Sequence, residues 1–375
     1  MKTNTRWMVA LAACSVALAM ILAGCSNVVG DTEAATTKEG AEAVAMMNNL
    51  DAQQRAAATA RAKDPSWKPA TTEVGLIQVG DSKRPGVLKN FCLNAEGNIL
   101  ACLGASIRVH SPKGELLKTL PLEIKAGAIS VAKDGSIFVA GDGQLLKLDA
   151  SGKVLAKAAS PVAKEPVVIT KEIEEMLKQS GRGGKAECDK MKTSLEARRS
   201  EVNGMAVTDQ DVFMTVPSPS DFTYRVYRFD HALQNPKLVV EKLRGCCGQM
   251  DLQAHEGKLW IPHNGRHVIE SRDRDGKELG KFGKAGKVKA DDFGGCCEPK
   301  SLRVLPNGDL LAAESGPPTC IKRFSADGKF LGVIAVIDDS KGDCVRVTVE
   351  VSPDGSRYYL MDTKRDAIHV FGTKG

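Results

Sequence analysis

LRVLPNGDLLAAE, residues 302–314, decides the fold of this 375-residue chain. Two apolar stretches flank Pro306-Asn307-Gly308, and such a turn between apolar residues is typical of a β-hairpin. A second turn of this type, Ser-Pro-Asp-Gly at residues 352–355, lies further along the chain. A hairpin that recurs in this way predicts a chain built of repeats.

The same unit can be followed through six copies of roughly 40 to 50 residues. Each copy has three apolar strands separated by glycine turns, with room for a fourth strand. The copies occupy residues 91–115, 129–153, 202–230, 255–277, 305–329 and 352–371. A small sheet cannot bury both faces alone, whereas neighbours stacked around an axis supply a core. The sequence therefore predicts an all-β, six-bladed β-propeller.

Two segments stand outside the regular repeat. The last copy ends on a third strand, so residues 74–79 are predicted as the outer strand that closes blade six. Residues 163–200 interrupt the array between blades two and three, and residues 170–179 and 185–199 have helix-favouring composition. This helical insertion is either a solvated addition or a lid or partner-docking arm over one propeller face.

The amino terminus indicates the compartment. A basic start and an apolar stretch precede Leu22-Ala23-Gly24-Cys25, which resembles the lipobox of bacterial lipoproteins. The resemblance implies a signal peptide over residues 1–24, cleavage before Cys25 and acylation (such as palmitate) that includes the Cys25 thiol; the alternative is an ordinary signal peptide with a chance cysteine. Ser26 favours an outer-membrane anchor facing the periplasm.

Residues 25–70 are predicted to be a lipidated tether, and 71–375 the propeller with its insertion. The alternative for the tether is a helix docked on the domain. Without the signal peptide, which holds Lys2 and Arg6 and no acid, 50 of the 52 basic residues face 46 acidic ones. This balance argues against nucleic acid as a partner.

The blade pattern resembles that of NHL-repeat propellers over residues 73–374. The resemblance rests on residues 302–314 and on the stretch from Asp354-Gly355 to Asp362. In that family an acid ends the second strand and pairs with a base on the third. Glu314 and Asp362 match the acid, His263 replaces it in blade four, and blades one to three lack it. The chain contains Gly-Cys-Cys twice, at residues 245–247 and 295–297. These two sequences resemble those of a subfamily of bacterial secreted NHL proteins. The NHL fold hosts lyases, hydrolases and binding modules, so the resemblance does not select an activity.

The cysteines carry the clearest functional signal. Cys246, Cys297 and Cys344 precede the turn glycines of blades four, five and six by the same eleven residues. This offset predicts sulfur at the entrance of each innermost strand, around the central channel. Excluding Cys14 and Cys25, nine of the 11 cysteines remain, an odd number. Cys92 and Cys102 are expected to be buried thiols, and Cys188 an exposed unpaired one.

Three interpretations of these sulfurs remain open. They form structural disulfides, which an oxidising periplasm favours; they form a thiolate metal site for Cu(I) or Zn; or one is a redox-active or nucleophilic cysteine. His263 and His267 form a further possible metal pair. The sequence names no metal or cofactor.

The chain is accordingly predicted to be a ligand-binding or protein-interaction module at the membrane. Its ligand, a protein or a small molecule, would occupy the central funnel. The residues predicted to line the funnel are Cys246, Cys247, Cys296, Cys297, Cys344, Asn203, Gln249, Asp251, Glu298, Lys300 and Arg346. One alternative is a metal- or cysteine-dependent lyase or hydrolase that uses the same funnel, and another is a scaffold that docks a partner through the insertion.

Overall fold

The computed structural model describes residues 49, 52–83, 85–179, 183–245, 248–295, 297–337 and 344–373. Within them, 24 strands form six antiparallel sheets of four, which confirms the six-bladed β-propeller. Blades one to three comprise β2 (Leu88–Leu93), β3 (Ile99–Leu103), β4 (Ser106–His110) and β5 (Leu116–Pro121); β6 (Ala128–Val131), β7 (Ile137–Gly141), β8 (Gln144–Leu148) and β9 (Val154–Ala159); and β10 (Gly204–Val207), β11 (Val212–Pro217), β12 (Thr223–Phe229) and β13 (Lys237–Arg244).

Blades four to six complete the ring. They comprise β14 (Gln253–His255), β15 (Lys258–His263), β16 (Val268–Asp273) and β17 (Glu278–Phe282); β18 (Ser301–Val304), β19 (Leu310–Glu314), β20 (Thr319–Phe324) and β21 (Phe330–Ile337); and β22 (Val349–Val351), β23 (Arg357–Asp362), β24 (Ala367–Gly372) and β1 (Thr72–Gln78). The six first strands contact one another in sequence and surround the channel. We call the end where these inner strands begin the entrance end, and the end where they reach their hairpins the turn end.

The core consists of apolar layers between blades. Every residue of β3 is buried. Leu100 and Cys102 belong to the layer shared with blade two, whereas Ile99, Ala101 and Leu103 belong to the layer shared with blade six. Alternate residues of a strand point to opposite faces of its sheet. An unbroken apolar run is therefore what a strand needs when both faces are covered.

The hairpin predicted from residues 302–314 is present in blade five and recurs in other blades. In blade five the Gly308 N–H donates to the Leu305 carbonyl at 2.9 Å, and Gly308 has φ +84°. Gly97, Gly135 and Gly355 have the same bond to the residue three before them and φ of +78°, +82° and +72°. Positive φ is open to glycine at little steric cost, which explains glycine at this turn.

The predicted closure of blade six is confirmed. β1 pairs antiparallel with β24, from Thr72 opposite Gly372 to Gln78 opposite Ala367. Ile77 is only 7% exposed and joins the apolar layer between blades six and one. The first strand of the propeller thus completes its last blade.

The insertion is a helical hairpin, also as predicted. Helices α2 (Lys171–Gln179) and α3 (Lys185–Arg198) connect β9 to β10 and follow α1, residues 52–62 near the amino terminus. Ile173, Leu177, Met191 and Leu195 form a small core against Phe222, in the loop between β11 and β12 of blade three. The hairpin therefore lies on blade three.

The end of the predicted tether lies against blade five, in the manner of the docked alternative. Trp67 donates from Nε1 to the Val288 carbonyl at 2.7 Å, and Arg61 donates to the Lys287 carbonyl at 2.7 Å. The Trp67 ring also covers the buried Lys322 ammonium at 4.8 Å. The predicted signal peptide and Cys25 lie outside the described residues. Among the residues that are described, no helix has the length and apolar character of a membrane span.

Closure by β1 can be tested with a pair of substitutions in that strand. Ile77→Ala empties part of a buried layer and should cost about 2–4 kcal/mol of unfolding free energy. Leu76→Ala, at the neighbouring residue that is 46% exposed, should change it by less than about 0.5 kcal/mol. Urea unfolding measures both, and equal costs would show that β1 does not close the ring.

Candidate functional site

The entrance ends of blades four, five and six bring most of the described candidates together. Residues 248–252 lead into β14, residues 297–300 into β18, and residues 344–348 into β22. The three inner strands contact one another in that order, so their leading segments are neighbours at one end of the channel. Cys246, Cys247 and Cys296 lie outside the described residues.

Two of the predicted sulfurs are in contact. Cys297 Sγ lies 3.1 Å from Cys344 Sγ. A sulfur–sulfur bond is about 2.05 Å long, so these two atoms touch without being bonded to each other. The equal offset from the turn glycine thus places sulfur from neighbouring blades at one point.

A buried lysine lies beside this sulfur pair. Lys300 Nζ is 3.1 Å from Cys344 Sγ and donates to the Val345 carbonyl at 2.7 Å. Lys300 is fully buried, as is Cys297. The Lys300 ammonium therefore lies against sulfur at the entrance end of the channel.

The carbonyl of Gly248 joins three blades. It accepts from Asn203 Nδ2 at 2.6 Å and from Arg346 Nε and Nη2 at 3.1 and 2.5 Å. Gln249 adds a two-way link, because its Nε2 donates to the Val347 carbonyl at 2.5 Å and its Oε1 accepts from the Val347 N–H at 3.1 Å. Burial lowers the pKa of Arg346, and the negative charge of Glu201 opposes that shift.

Asp251 extends this network toward blades five and six. Its Oδ2 accepts from Ser301 Oγ at 2.8 Å and from the Leu302 N–H at 3.1 Å. Ser301 Oγ in turn accepts from the Val349 N–H at 3.2 Å. Burial raises the pKa of Asp251 to about 6 although these donors favour its charged form.

Glu298 is the most strongly perturbed of the predicted residues. Its Oε1 accepts from Ser315 N, Ser315 Oγ and Gly316 N at 2.9–3.0 Å, while its buried Oε2 has no hydrogen-bond partner. Burial raises its pKa to about 8; the Lys300 charge opposes this and the Glu314 charge adds to it. The pKa of Glu298 therefore lies well above that of an exposed carboxyl group.

Sequence reasoning missed a third buried carboxyl near the channel. Glu350 Oε2 lies 2.7 Å from Arg303 Nε, and Arg303 also donates to Gln253 Oε1 at 3.0 Å. Burial raises the pKa of Glu350 to about 7, with the Arg303 charge opposing. These residues belong to no motif; the only signal was a charged residue inside each of two apolar inner strands.

Other predicted cysteines are placed as follows. Cys92 and Cys102 are buried as expected, and burial raises both pKa values. Cys188 is half-buried and not exposed as expected. It lies on α3 and packs against the small core of the helical hairpin. Among the described side chains, no group of three or more His, Cys, Asp and Glu residues could hold a metal ion.

The possible metal ligand His263 has another role. Its Nε2 accepts from the Arg244 N–H at 2.8 Å, so the proton is on Nδ1 and is donated to Glu270 Oε1 at 2.6 Å. Arg272 donates to Glu270 Oε2 at 2.7 Å. Burial alone would raise the pKa of Glu270, but bonds from His263 and Arg272 outweigh it and lower the pKa to about 2.

Solved structures share the fold. The gluconolactonase XC5397 of Xanthomonas campestris has a TM-score of 0.52 and 12% identity, covering 80% of this chain and 91% of that one. A chain of the mitotic checkpoint complex has 0.48 and 12%, covering 84% and 94%. The Cps50 (Swd1) β-propeller domain of Myceliophteria thermophila has 0.47 and 9%, covering 81% and 100%. The sequence matches no family model and no curated protein. At this identity the first likeness supports the propeller fold alone.

The buried Glu270 makes the unfolding free energy depend on pH. A carboxyl whose pKa falls on folding, here from 4.5 to about 2, stabilises the fold above its unfolded pKa and ceases to do so as pH falls toward its folded one. Glu270→Gln should therefore lower the unfolding free energy at pH 7 by on the order of 3 kcal/mol. That difference should shrink as pH falls from about 4.5 to about 2.

Chemical unfolding at a series of pH values measures the effect. Glu278→Gln is the matched control, because its side chain is 39% exposed and its Oε2 lies 3.8 Å from Arg272 Nη2. A constant difference between wild type and Glu270→Gln across this range would contradict the assignment.

Proposed function

We propose that this chain is an outer-membrane lipoprotein that faces the periplasm and carries an NHL-like β-propeller. In this proposal the propeller is a ligand-binding or protein-interaction module. Its site is the funnel at the entrance end, rimmed by Cys246, Cys247, Cys296, Cys297 and Cys344. A propeller fold is consistent with a binding or interaction module, and the lipobox supports the anchor.

The contact between Cys297 and Cys344 carries the proposal for the site. Two blades place sulfur 3.1 Å apart at the channel entrance, and the other three cysteines share the local sequence pattern. The buried Lys300 ammonium lies beside the pair. Ionisable groups buried in one place and shifted in pKa, such as Glu298, are characteristic of functional sites.

Two further features are consistent with NHL-like blades. The position that ends the second strand holds Glu314 or Asp362 in blades five and six, and each carboxylate pairs with a base on the third strand, Lys322 or His369. Blade four has the pair reversed, as His263 and Glu270. The pairs support the resemblance in three blades; in blades one to three the second strand ends at Leu103, Gly141 and Pro217.

A photoreactive residue at Glu201 should capture a partner in intact cells. Glu201 is exposed and its charge acts on Arg346 at the entrance end. The same photoreactive residue at Glu256, exposed at the turn end, is the matched control and should not capture that partner. Cys297→Ser should lower capture at least fivefold, about 1 kcal/mol, with a smaller effect on thermal unfolding.

Differential alkylation of the native protein with peptide mass spectrometry, together with metal analysis, separates the alternatives. Equal losses of capture and stability in Cys297→Ser would leave a structural role for the cysteines. Stoichiometric Zn or Cu with sulfurs protected from alkylation would favour an enzyme or metal site in the same funnel. Equal capture from Glu201 and Glu256 would contradict the placement of the site.

The anchor has a separate test. Cys25→Ser removes the thiol that accepts the lipid, so the variant should leave the membrane fraction and lose palmitate labelling. Stable anchoring takes more than one acyl chain, which a lipoprotein amino terminus provides. Cys188→Ser, in the insertion, is the control and should stay with the membrane. Membrane association that persists in Cys25→Ser would contradict lipidation at this cysteine.

A further inference from the structure

A cavity of about 600 Å³ lies at the turn end of the channel, away from the predicted funnel. Hairpins of blades two, three and four form it, through Val131 and Lys133, residues 207–213, and residues 254–259. The inner strands of these three blades have three or four residues and separate the two ends by roughly 10 Å. We call this space the turn-end cavity. Its volume is in the range of pockets that hold small organic ligands.

The cavity has an apolar wall. Val131, Val207 and Ala254 line it and are half-buried, whereas Phe213 and Leu259 also line it but are only 1% exposed. An aliphatic or aromatic group of a ligand would cover the exposed part of the first three side chains and remove it from water.

The polar groups around that wall leave both donors and acceptors available. His255 Nε2 is buried and has no hydrogen-bond partner; the Glu256 carboxylate is 3.8 Å away, beyond hydrogen-bond range. Arg274 donates from Nε and Nη2 to Asp211 at 2.9 and 2.6 Å. These bonds leave the N–H groups on Arg274 Nη1 for another acceptor.

Charges of both signs surround the cavity. Asp209 pairs with Lys133 at 2.8 Å, and Asp211 is neutralised by Arg274. Glu256 and Lys258 are both exposed on one hairpin. Acidic and basic side chains therefore both lie around the apolar wall, together with the His255 imidazole. This arrangement suits neither a simple anion nor a simple cation.

We propose that the turn-end cavity binds a small zwitterion with apolar side chains, a dipeptide or an apolar amino acid. The ligand ammonium pairs with Glu256, its carboxylate with Arg274 Nη1 and Lys258, and its peptide group with His255 Nε2. The apolar side chains pack on Val131, Val207 and Ala254. Each part of the ligand contacts a different feature of the cavity. Ligands that lack one part at a time therefore test each contact separately.

The probe is the dipeptide Leu-Leu, with three derivatives that each lack one feature. N-acetyl-Leu-Leu lacks the ammonium, Leu-Leu-amide lacks the carboxylate and Gly-Gly lacks the apolar side chains. Titration calorimetry or ligand-observed NMR should show Leu-Leu binding with a Kd of about 1 mM or lower, and each derivative at least about fivefold weaker. His255→Ala should weaken Leu-Leu by a similar factor.

A matched pair of exposed glutamates provides the control. Glu256 and Glu96 both directly precede a turn glycine, in blades four and one. Glu256→Gln should weaken Leu-Leu to the level of N-acetyl-Leu-Leu and leave N-acetyl-Leu-Leu itself unchanged, whereas Glu96→Gln should change neither. Both sites are exposed, so folding should be unaffected.

Equal binding of all four compounds, no binding of Leu-Leu at about 10 mM, or equal effects of the two glutamate variants would overturn the proposal. Capture by the residue at Glu201 is independent of these outcomes. Failure here therefore leaves the proposed funnel function in place.

Discussion

Every blade of this propeller depends on the apolar layers that it shares with its two neighbours. One sheet of four short strands has two apolar faces and no means of covering either, so its free energy of folding comes from the ring as a whole. The alternation along β3, where successive buried residues join different layers, shows the constraint at a single strand. It also explains why closure by β1 matters: a gap in the ring would expose two layers at once.

The centre of the ring imposes the opposite requirement. Backbone and side-chain polar groups that reach the channel are shielded from water and need partners there. Gly248, Gln249 and Asp251 meet this need by bonding to residues of blades three, five and six. The predicted lining residues thus form contacts across blades, and they stabilise the same geometry that brings Cys297 and Cys344 together. A structural and a functional role for these residues are therefore coupled, which is why binding and stability have to be measured side by side.

The fold could be predicted because its determinants are local. Glycine turns, apolar runs and their period are each readable within a few residues, and the closing strand and the helical insertion follow from what the repeat lacks or adds. The site was less accessible, since it depends on which side chains face each other across blades. The offset of eleven residues singles out Cys297 and Cys344, whose sulfurs are in contact, but nothing in the sequence links Glu350 to Arg303, or Trp67 to Lys322. Cys188 shows the same limit: a polar helix suggested exposure, while the packing of α2 on α3 half-buries the residue.

The acid–base pairs of blades four to six recur at the same place in each blade. In each blade the last residue of the second strand meets a residue two positions beyond its direct partner on the third strand: His263 meets Glu270, Glu314 meets Lys322, and Asp362 meets His369. A buried charge without a partner is strongly unfavourable, whereas either order of acid and base satisfies both groups. A search for an acid at one position therefore treats blade four as degenerate, although the interaction is retained with its polarity reversed. The unit that persists is the complementary pair, and it can be recognised only when both strands are considered together.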